Sequence, residues 1–363
     1  MDSGSSLVWF PCTQRYACKS CNFVNVNPTN ISTFIPRSSS SSKIVGCKNP
    51  KCRWIFPSVQ CSNCPKNSTI CSEFCPPYII QYGSGSTTGL LLSETLIFPE
   101  KSVDNFVIGC SIVSFWQPSG IAGFGRGPES LPVQMGLKRF SYCLVSHRFD
   151  DEPVSSDLVL ISGGGATASR GGATNYTVYT PFRKNPPSSN PAFQDYYYVT
   201  LRKITVGGVN VKAPYKFLVA DSDGNGGTIV DSGTTFTFME NQVFELVSKQ
   251  FEKQVGKNYS RAVNVEKQSG LRPCFNISGE KLLTLPQLSF HFKGGAKMDL
   301  PLADYFSFLD DSVICMTIVA NDGGKGGVGP GPAIILGNYQ QQNFYMEYDL
   351  ENQRLGFHKQ LCK

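Results

Sequence analysis

The sequence predicts an all-β-dominated fold built as two related lobes. Its 35 Gly and 23 Pro accompany short β-branched and aromatic runs, which is typical of strands joined by turns. An internal repeat indicates the two lobes, because MDSGS at residues 1–5 is echoed by IVDSGTT at residues 229–235. With 363 residues, 40% of them apolar and 17% charged, the chain can bury one core or two.

The repeat extends downstream, where an apolar pair plus Gly follows each Asp at a comparable distance. The first copy is IAG at residues 121–123, and the second is ILG at residues 335–337. A single Asp-Ser-Gly triplet is an ordinary turn sequence. Two copies with matching downstream segments are far harder to explain as turns, so Asp2 and Asp231 are the candidate catalytic residues.

Paired Asp residues have a specific chemistry. Two carboxylates held about 3 Å apart cannot both ionise, so the pair keeps one proton and titrates as a unit. The ionised member can take a proton from a water while the protonated member hydrogen-bonds a substrate carbonyl. The repeat therefore favours hydrolysis by a water activated between Asp2 and Asp231.

A third element, IIQYGSGSTTG at residues 79–89, lies between the two Asp residues. Apolar strand residues flank a Tyr-Gly pair, which predicts a β-hairpin with Tyr82 and Gly83 at its tip. By itself this pattern fits a surface hairpin with a buried Tyr. Because the chain also has two candidate catalytic Asp residues, the hairpin can instead be interpreted as part of the active site.

These motifs resemble the pepsin-like aspartic endopeptidases, most closely their plant nepenthesin-like branch. The resemblance implies a bilobal pepsin-like fold with a few short helices and one catalytic Asp in each lobe. It also implies that the Ser3 and Ser232 hydroxyls hydrogen-bond across the two loops, and that Ser5 and Thr234 bond the carboxylates from outside. The residues expected to support the dyad are Ser3, Gly4, Ser5, Ser232, Gly233 and Thr234.

The same resemblance gives the hairpin a role. Tyr82 corresponds to the flap tyrosine of the family, which closes over bound peptide and hydrogen-bonds through its phenol. Trp9, seven residues after Asp2, stands where the family has an indole partner for that phenol. The alternative for Trp9 is an ordinary core residue.

Fourteen Cys, an even number, and five Asn-X-Ser/Thr sequons indicate an oxidising secretory compartment. Nine Cys lie between residues 12 and 75, several at spacings that also suit a zinc ribbon, but disulfides are commoner in secreted chains. The family has a Cys-rich insertion here and a bridge matching Cys274 and Cys315. Because nine is odd, full pairing requires a bridge that leaves the insertion, with Cys362 as a candidate partner. The sequons lie at Asn30, Asn67, Asn175, Asn258 and Asn276.

Three further patterns are expected to be structural. DSDGNG at residues 221–226 begins like an EF-hand loop, but Ser232 stands where a bidentate Glu is needed, so a Gly-rich turn is expected. GFGRG at residues 123–127 lacks the βα context of a dinucleotide fingerprint. The three His residues are isolated from any nucleophile motif and are expected to be structural, namely His147, His291 and His358.

The predicted lobe boundary lies in the Pro- and Ser-rich segment after residue 181. The N-terminal lobe is then residues 1–183 and the C-terminal lobe residues 193–363, with a strand restarting at 195–201. The clearest helix signal spans residues 240–255, with apolar residues at 243, 244, 247, 251 and 255. No stretch of about 20 apolar residues occurs, so no membrane span is expected.

The start of the chain departs from the family pattern. Only Met1 precedes the first Asp, whereas strand residues 228–230 precede the second. This contrast predicts an N-terminally truncated chain with Asp2 on a frayed terminus and reduced activity.

The favoured function is a secreted, monomeric endopeptidase that cleaves polypeptides at acid pH without metal or cofactor. Its expected location is extracellular, in the cell wall or in the vacuole. A net charge of +6 from scattered basic residues indicates no nucleic-acid partner. The alternative is a binding protein on the same scaffold, like the plant xylanase-inhibitor proteins with their disabled dyad. Retention of both Asp residues, their hydroxyl neighbours and Tyr82 favours the enzyme.

Overall fold

The computed structural model describes residues 1–23, 26–27, 30–61, 73–99, 101–146, 155–163, 176–188, 190–278, 280, 283–321 and 331–363. These residues form two compact units, Met1–Gly136 and Leu137–Lys363. Strands dominate both units and most helices are a single turn, which confirms the predicted all-β-dominated fold.

The first unit consists of short strands around one long hairpin. Its described elements are the strands β1 (Trp9–Pro11), β2 (Ala17–Lys19), β3 (Lys43–Ile44), β4 (Tyr78–Gln81), β5 (Ser86–Phe98) and β6 (Lys101–Phe115), with the helices α1 (Cys52–Ile55) and α2 (Leu131–Gln134). The strands form one six-stranded sheet in the order β1-β6-β5-β3, with β2 also paired to β6 and β4 to β5. The sheet buries a core that contains Leu7, Trp9, Val45, Tyr78, Leu91 and Val107.

The second unit is larger and contains four sheets among its described residues. Its strands are β7 (Arg139–Cys143), β8 (Leu158–Ile161), β9 (Val178–Pro181), β10 (Tyr197–Val199), β11 (Leu201–Val206), β12 (Val209–Val211), β13 (Thr228–Val230), β14 (Thr237–Glu240), β15 (Ser260–Arg261), β16 (Cys274–Asn276), β17 (Leu288–Phe292), β18 (Lys297–Asp299), β19 (Phe306–Asp310), β20 (Val313–Met316), β21 (Ile318–Asn321), β22 (Ile334–Leu336), β23 (Phe344–Asp349) and β24 (Arg354–Lys359). Its helices are α3 (Ala192–Asp195), α4 (Tyr215–Leu218), α5 (Asn241–Val255), α6 (Val263–Ser269) and α7 (Leu302–Tyr305).

One sheet of the second unit carries the second Asp motif. Its order is β10-β13-β22-β14-β21, and β13 runs parallel to β22 with Val230 opposite Leu336. Both strands are buried along their whole length, as expected for apolar strands covered on both faces. Asp231 therefore follows directly from a rigid, buried strand.

Helix α5 confirms the helix predicted for residues 240–255. Glu240 caps it, because its carboxylate accepts a hydrogen bond from the Gln242 backbone N–H at 2.8 Å. The apolar positions that carried the prediction form its buried face, namely Val243, Phe244, Val247, Phe251 and Val255.

The division between the units differs from the predicted boundary at residues 183–193. The first unit ends at Gly136, because β7 and β9 join the C-terminal strands in a five-stranded sheet of order β8-β7-β23-β24-β9. In that sheet Cys143 lies opposite Tyr345, and Pro181 lies opposite Arg354. A Pro-rich segment marks a local break in the chain, but only long-range strand pairing decides which unit a strand joins.

The described Cys residues all pair as disulfides, which confirms the disulfide prediction. The pairs are Cys12–Cys110, Cys18–Cys21, Cys47–Cys61, Cys52–Cys75, Cys143–Cys362 and Cys274–Cys315. The expectation that Cys362 pairs with the Cys-rich insertion is wrong. Cys12 leaves the insertion instead, because β1 runs beside β6 and brings Cys12 to Cys110. Cys362 follows β24, which pairs with β23, and β23 pairs with β7, which ends at Cys143. This order of strands brings Cys362 to Cys143.

Asp304 is a buried acid in α7. Neither of its carboxylate oxygens has a hydrogen-bond partner among the described residues. Burial raises the pKa of Asp304 to about 8, and the charge of Lys359 lowers it only in part. Between about pH 4 and pH 8, the folded state therefore holds a proton that the unfolded chain has released, so stability falls as pH rises through this window.

We expect Asp304→Asn to remove this contribution. Relative to the wild type, the unfolding free energy of the variant should rise by on the order of 3 kcal/mol between about pH 4 and pH 7. Denaturant unfolding across this range measures the difference. Asp311→Asn, which alters an exposed carboxylate, is the matched control and should follow the wild type. A constant difference between Asp304→Asn and the wild type would show that Asp304 is already ionised in the folded protein.

Candidate active site

The first Asp loop is fixed by the segment around Gly123. The backbone N–H of Asp2 donates to the Ala122 carbonyl at 2.9 Å, and the Phe124 N–H donates to the Asp2 carbonyl at 2.7 Å. The Gly125 N–H donates to the Ser5 carbonyl at 2.8 Å. The expectation of a frayed terminus at Asp2 is therefore wrong, because the downstream apolar-apolar-Gly segment supplies the pairing that a preceding strand was expected to give.

The carboxylate of Asp2 is oriented from within its own loop. Its Oδ1 accepts the backbone N–H of Gly4 at 2.9 Å, and its Oδ2 accepts the hydroxyl of Ser5. Ser3, which directly follows Asp2, is fully buried. A donor on each oxygen fixes the plane of the carboxylate.

The second loop repeats this arrangement in the other unit. Asp231 Oδ1 accepts the N–H of Gly233 at 2.8 Å, and Oδ2 accepts the hydroxyl of Thr234 at 2.5 Å. The Asp231 N–H donates to the Leu336 carbonyl at 3.0 Å, and the Asn338 N–H donates to the Thr234 carbonyl at 2.7 Å. The loops thus match in the donors to each carboxylate oxygen and in the segment that holds the backbone.

The close contact between each Asp loop and its apolar-apolar-Gly segment requires Gly. A Cβ atom at Gly123 would lie 2.1 Å from the Ser6 carbonyl oxygen, and one at Gly337 would lie 2.6 Å from the Thr235 carbonyl oxygen. Real side chains do not approach backbone oxygens so closely, so the loops could keep their bonds only with Gly here. The apolar-apolar-Gly pattern is therefore explained by close approach of two backbones.

The hairpin between β4 and β5 confirms the predicted turn. The Tyr82 N–H donates to the Gly85 carbonyl at 2.9 Å, which closes a tip of residues 82–85. At Gly83, the Gly singled out by sequence, a side chain would meet open space. The turn instead requires Gly at residue 85, because φ there is 92° and an added Cβ would lie only 2.2 Å from the Phe115 carbonyl oxygen.

Tyr82 is connected to both Trp9 and the first Asp loop. The indole Nε1–H of Trp9 donates to the Tyr82 phenol oxygen at 2.9 Å, and the phenol also hydrogen-bonds the Ser5 hydroxyl. Burial, and then the charge of Asp2, raises the pKa of Tyr82, while the hydrogen bond from Trp9 and the contact with the Ser5 hydroxyl oppose the shift. The phenol therefore stays protonated and remains a hydrogen-bond donor. Trp9 is both a fully buried core residue and this partner.

Three side-chain amides that support the second loop were not predicted. Gln341 donates to the Leu336 carbonyl at 2.8 Å, Asn338 donates to the Ser232 carbonyl at 3.1 Å, and Gln340 accepts the Thr237 N–H at 2.7 Å. Gln340 and Gln341 are both fully buried. Because polar residues are usually exposed, the composition of NYQQQN at residues 338–343 does not indicate burial. Its position directly after the apolar-apolar-Gly segment was the available signal.

The patterns predicted to be structural have local partners. The Asp221 carboxylate accepts the N–H groups of Asp223 and Asn225, both at 2.9 Å, and so forms the turn that leads into β13. His291 pairs with the Thr205 hydroxyl and His358 with that of Thr177. His147 lies outside the described residues.

Two features that would indicate other functions are absent from the described residues. No cluster of three or more His, Cys, Asp or Glu residues is arranged to hold a metal ion in this part of the chain. Over the same residues, no helix has both the length and the apolar composition needed to cross a membrane.

Two strand-rich units, each with an Asp loop crossed by an apolar-apolar-Gly segment, define a protein of the pepsin-like fold class. Two family models match, described as xylanase inhibitor N-terminal over residues 1–160 and xylanase inhibitor C-terminal over residues 196–359. A probable aspartyl protease of Arabidopsis thaliana is 36% identical over 405 residues, with 100% of this chain and 79% of the relative covered. Aspartic proteinase nepenthesin-2 of Nepenthes gracilis is 33% identical, with 100% and 74% covered. The chain belongs to the aspartyl protease family that includes the nepenthesins.

Solved structures with the same fold include seed proteins. Basic 7S globulin from soybean matches with a TM-score of 0.69 at 20% identity, covering 98% of this chain and 87% of the globulin. Conglutin gamma from lupine seeds matches with a TM-score of 0.66 at 19% identity, covering 98% and 86%. At these identities the likeness extends to the fold alone.

We expect Gly123→Ala and Gly337→Ala each to lower the unfolding free energy by about 2 kcal/mol, because the added methyl group meets a backbone oxygen that cannot rotate away. Denaturant unfolding measures the loss. Amide hydrogen exchange should also become faster at Phe124 in the first variant and at Asn338 in the second. Gly83→Ala is the control and should behave as the wild type. Equal stability of all three variants would contradict the close approach of the two backbones.

Proposed function

We propose that the protein is an aspartic endopeptidase in which Asp2 and Asp231 act as one dyad. The observation that carries the proposal is the shared pattern of the two loops. In each, Oδ1 accepts a Gly N–H and Oδ2 accepts a hydroxyl. A binding protein would have no use for two carboxylates oriented in this way, whereas acid–base catalysis needs them held in a fixed geometry.

The proposed mechanism uses one proton shared by the two carboxylates. The ionised Asp takes a proton from a water, which attacks the scissile carbonyl carbon, while the protonated Asp donates a hydrogen bond to the carbonyl oxygen. The proton gained is then passed to the leaving amine. In this mechanism the hydroxyls of Ser5 and Thr234 stabilise the carboxylates by donating to Oδ2 of Asp2 and of Asp231.

The hairpin from residue 78 to residue 98 is proposed to close over the bound peptide. Its Tyr82 phenol is already positioned by Trp9 and Ser5, next to the Asp2 carboxylate. A closed flap excludes water from the site and completes the contacts to the substrate.

The proposed location is the secretory pathway, ending outside the cell or in the vacuole. The described Cys residues are paired as disulfides, which persist in oxidising compartments. The sequon residues Asn30, Asn258 and Asn276 are exposed and accessible to glycosylation, whereas Asn67 and Asn175 lie outside the described residues.

A second candidate function is xylanase inhibition without proteolysis. The two matching family models, both named for xylanase inhibitors, favour it. Two assays distinguish the candidate functions. One measures protein cleavage, and the other measures inhibition of a fungal or bacterial xylanase. Inhibition that persists in Asp231→Asn, without cleavage by the wild type, would select the inhibitor.

The purified protein should cleave an unfolded protein substrate at about pH 4 and lose most of this activity by about pH 7, because the dyad must keep one proton. Asp2→Asn and Asp231→Asn should each lower kcat by roughly 10²-fold to 10⁴-fold. Asp223→Asn, at an exposed carboxylate in the turn before β13, is the control and should retain full activity. Undiminished cleavage at about pH 8, or wild-type activity in Asp231→Asn, would overturn the proposal.

A further inference from the structure

The tip of the flap hairpin is held by a side chain from another strand. Gln117 lies two residues beyond the end of β6, and its Nε2 donates to the Ser84 carbonyl at 2.7 Å. Its aliphatic stem also packs against the tip, because a Cβ added at Gly85 would lie 3.2 Å from Gln117 Cγ. The position of Tyr82, two residues before Ser84, therefore depends on Gln117.

Gln117 is itself held through its backbone. Its carbonyl oxygen lies 2.6 Å from the Ser114 hydroxyl and 2.9 Å from the Tyr16 phenol, and these two hydroxyl oxygens lie 2.6 Å apart, so one hydroxyl donates to the carbonyl while the other donates to its neighbour. Burial raises the pKa of Tyr16, so the phenol keeps its proton. This pair of hydrogen-bonded hydroxyls beside one carbonyl oxygen restrains rotation of the peptide.

This support comes from the start of the Cys-rich segment. Strand β2 pairs in parallel with β6, so Cys18 lies opposite Ser114, and the Trp116 N–H donates to the Lys19 carbonyl at 3.0 Å. The Cys18–Cys21 disulfide closes the chain at the end of β2. Tyr16, β2 and this disulfide thus form a fixed platform, which we call the insertion platform.

We propose that Gln117 is a positioning residue for the flap, fixed by the insertion platform, which keeps Tyr82 near Trp9 and Ser5 before substrate binds. Opening of the flap must break the bond from Gln117 to Ser84. The effect on catalysis rests on the proposed function, whereas the effect on the flap does not.

Flap opening can be measured without any substrate. Amide hydrogen exchange of the intact protein, read over residues 78–90, should become about two- to tenfold faster in Gln117→Ala, in keeping with the loss of one neutral hydrogen bond. Tyr16→Phe should give a smaller change in the same direction, because Ser114 still holds the Gln117 carbonyl. The control is Gln353→Ala, which removes another exposed amide donor, to the Leu350 carbonyl, and should leave this hairpin unchanged.

Gln117→Glu separates positioning from a general loss of structure. A protonated Glu can donate its O–H to the Ser84 carbonyl, while an ionised Glu cannot donate and repels the oxygen. Protection of residues 78–90 in this variant should equal that of the wild type at about pH 3 and fall toward that of Gln117→Ala at about pH 6, around an ordinary Glu pKa of about 4.3. Wild-type protection in Gln117→Ala, or a protection deficit in Gln117→Glu that does not change with pH, would overturn the proposal.

Peptide cleavage adds a second readout. Gln117→Ala should raise KM two- to tenfold with a smaller change in kcat, since a loosened flap holds substrate less well without altering the carboxylates. An unchanged KM in an active enzyme would count against a catalytic effect of the tether. If the wild type cleaves no peptide, the proposed function fails, and the exchange measurements alone decide the role of Gln117.

Discussion

The structure of both Asp loops depends on one interaction, the crossing of each loop by an apolar-apolar-Gly segment. Backbone bonds at 2.7 to 3.0 Å join Asp2 to Ala122 and Phe124, and Asp231 to Leu336. Because buried peptide groups must be paired, the crossing fixes the loop backbone, and the loop in turn supplies the N–H that orients the carboxylate. Gly123 and Gly337 permit the approach, so the carboxylate geometry rests on two residues that carry no side chain.

The flap is linked to this arrangement through the core of the first unit. Trp9 is fully buried, yet its indole N–H reaches the Tyr82 phenol, and that phenol reaches Ser5 beside Asp2. A residue that stabilises the fold therefore also positions the hairpin that is proposed to act as the flap. Gln117 donates to the Ser84 carbonyl in the same hairpin, so the tip is held at two residues, Tyr82 and Ser84.

Buried polar groups fix the second loop in a different way. Gln340, Gln341 and Asn338 add side-chain hydrogen bonds to the backbone of the second loop and of the strands beside it. The fully buried amides of Gln340 and Gln341 are costly to bury and are stabilising only while their hydrogen bonds are made. Asp304 differs, because its carboxyl group has no such partner among the described residues, and it is accommodated by keeping its proton.

The sequence by itself determined the class of fold, the two Asp loops, the flap hairpin and helix α5, because each is set by local turn chemistry or by a short repeat. It also indicated the disulfide-rich insertion. Only the tertiary structure decided that Cys12 pairs with Cys110 and Cys143 with Cys362, and that β7 and β9 belong with the C-terminal strands. The buried amides, the need for Gly at residue 85 and the contact from Gln117 were likewise hidden from the sequence. Strand pairing and close packing bring together residues that are far apart in the chain, and no local pattern records which of them meet.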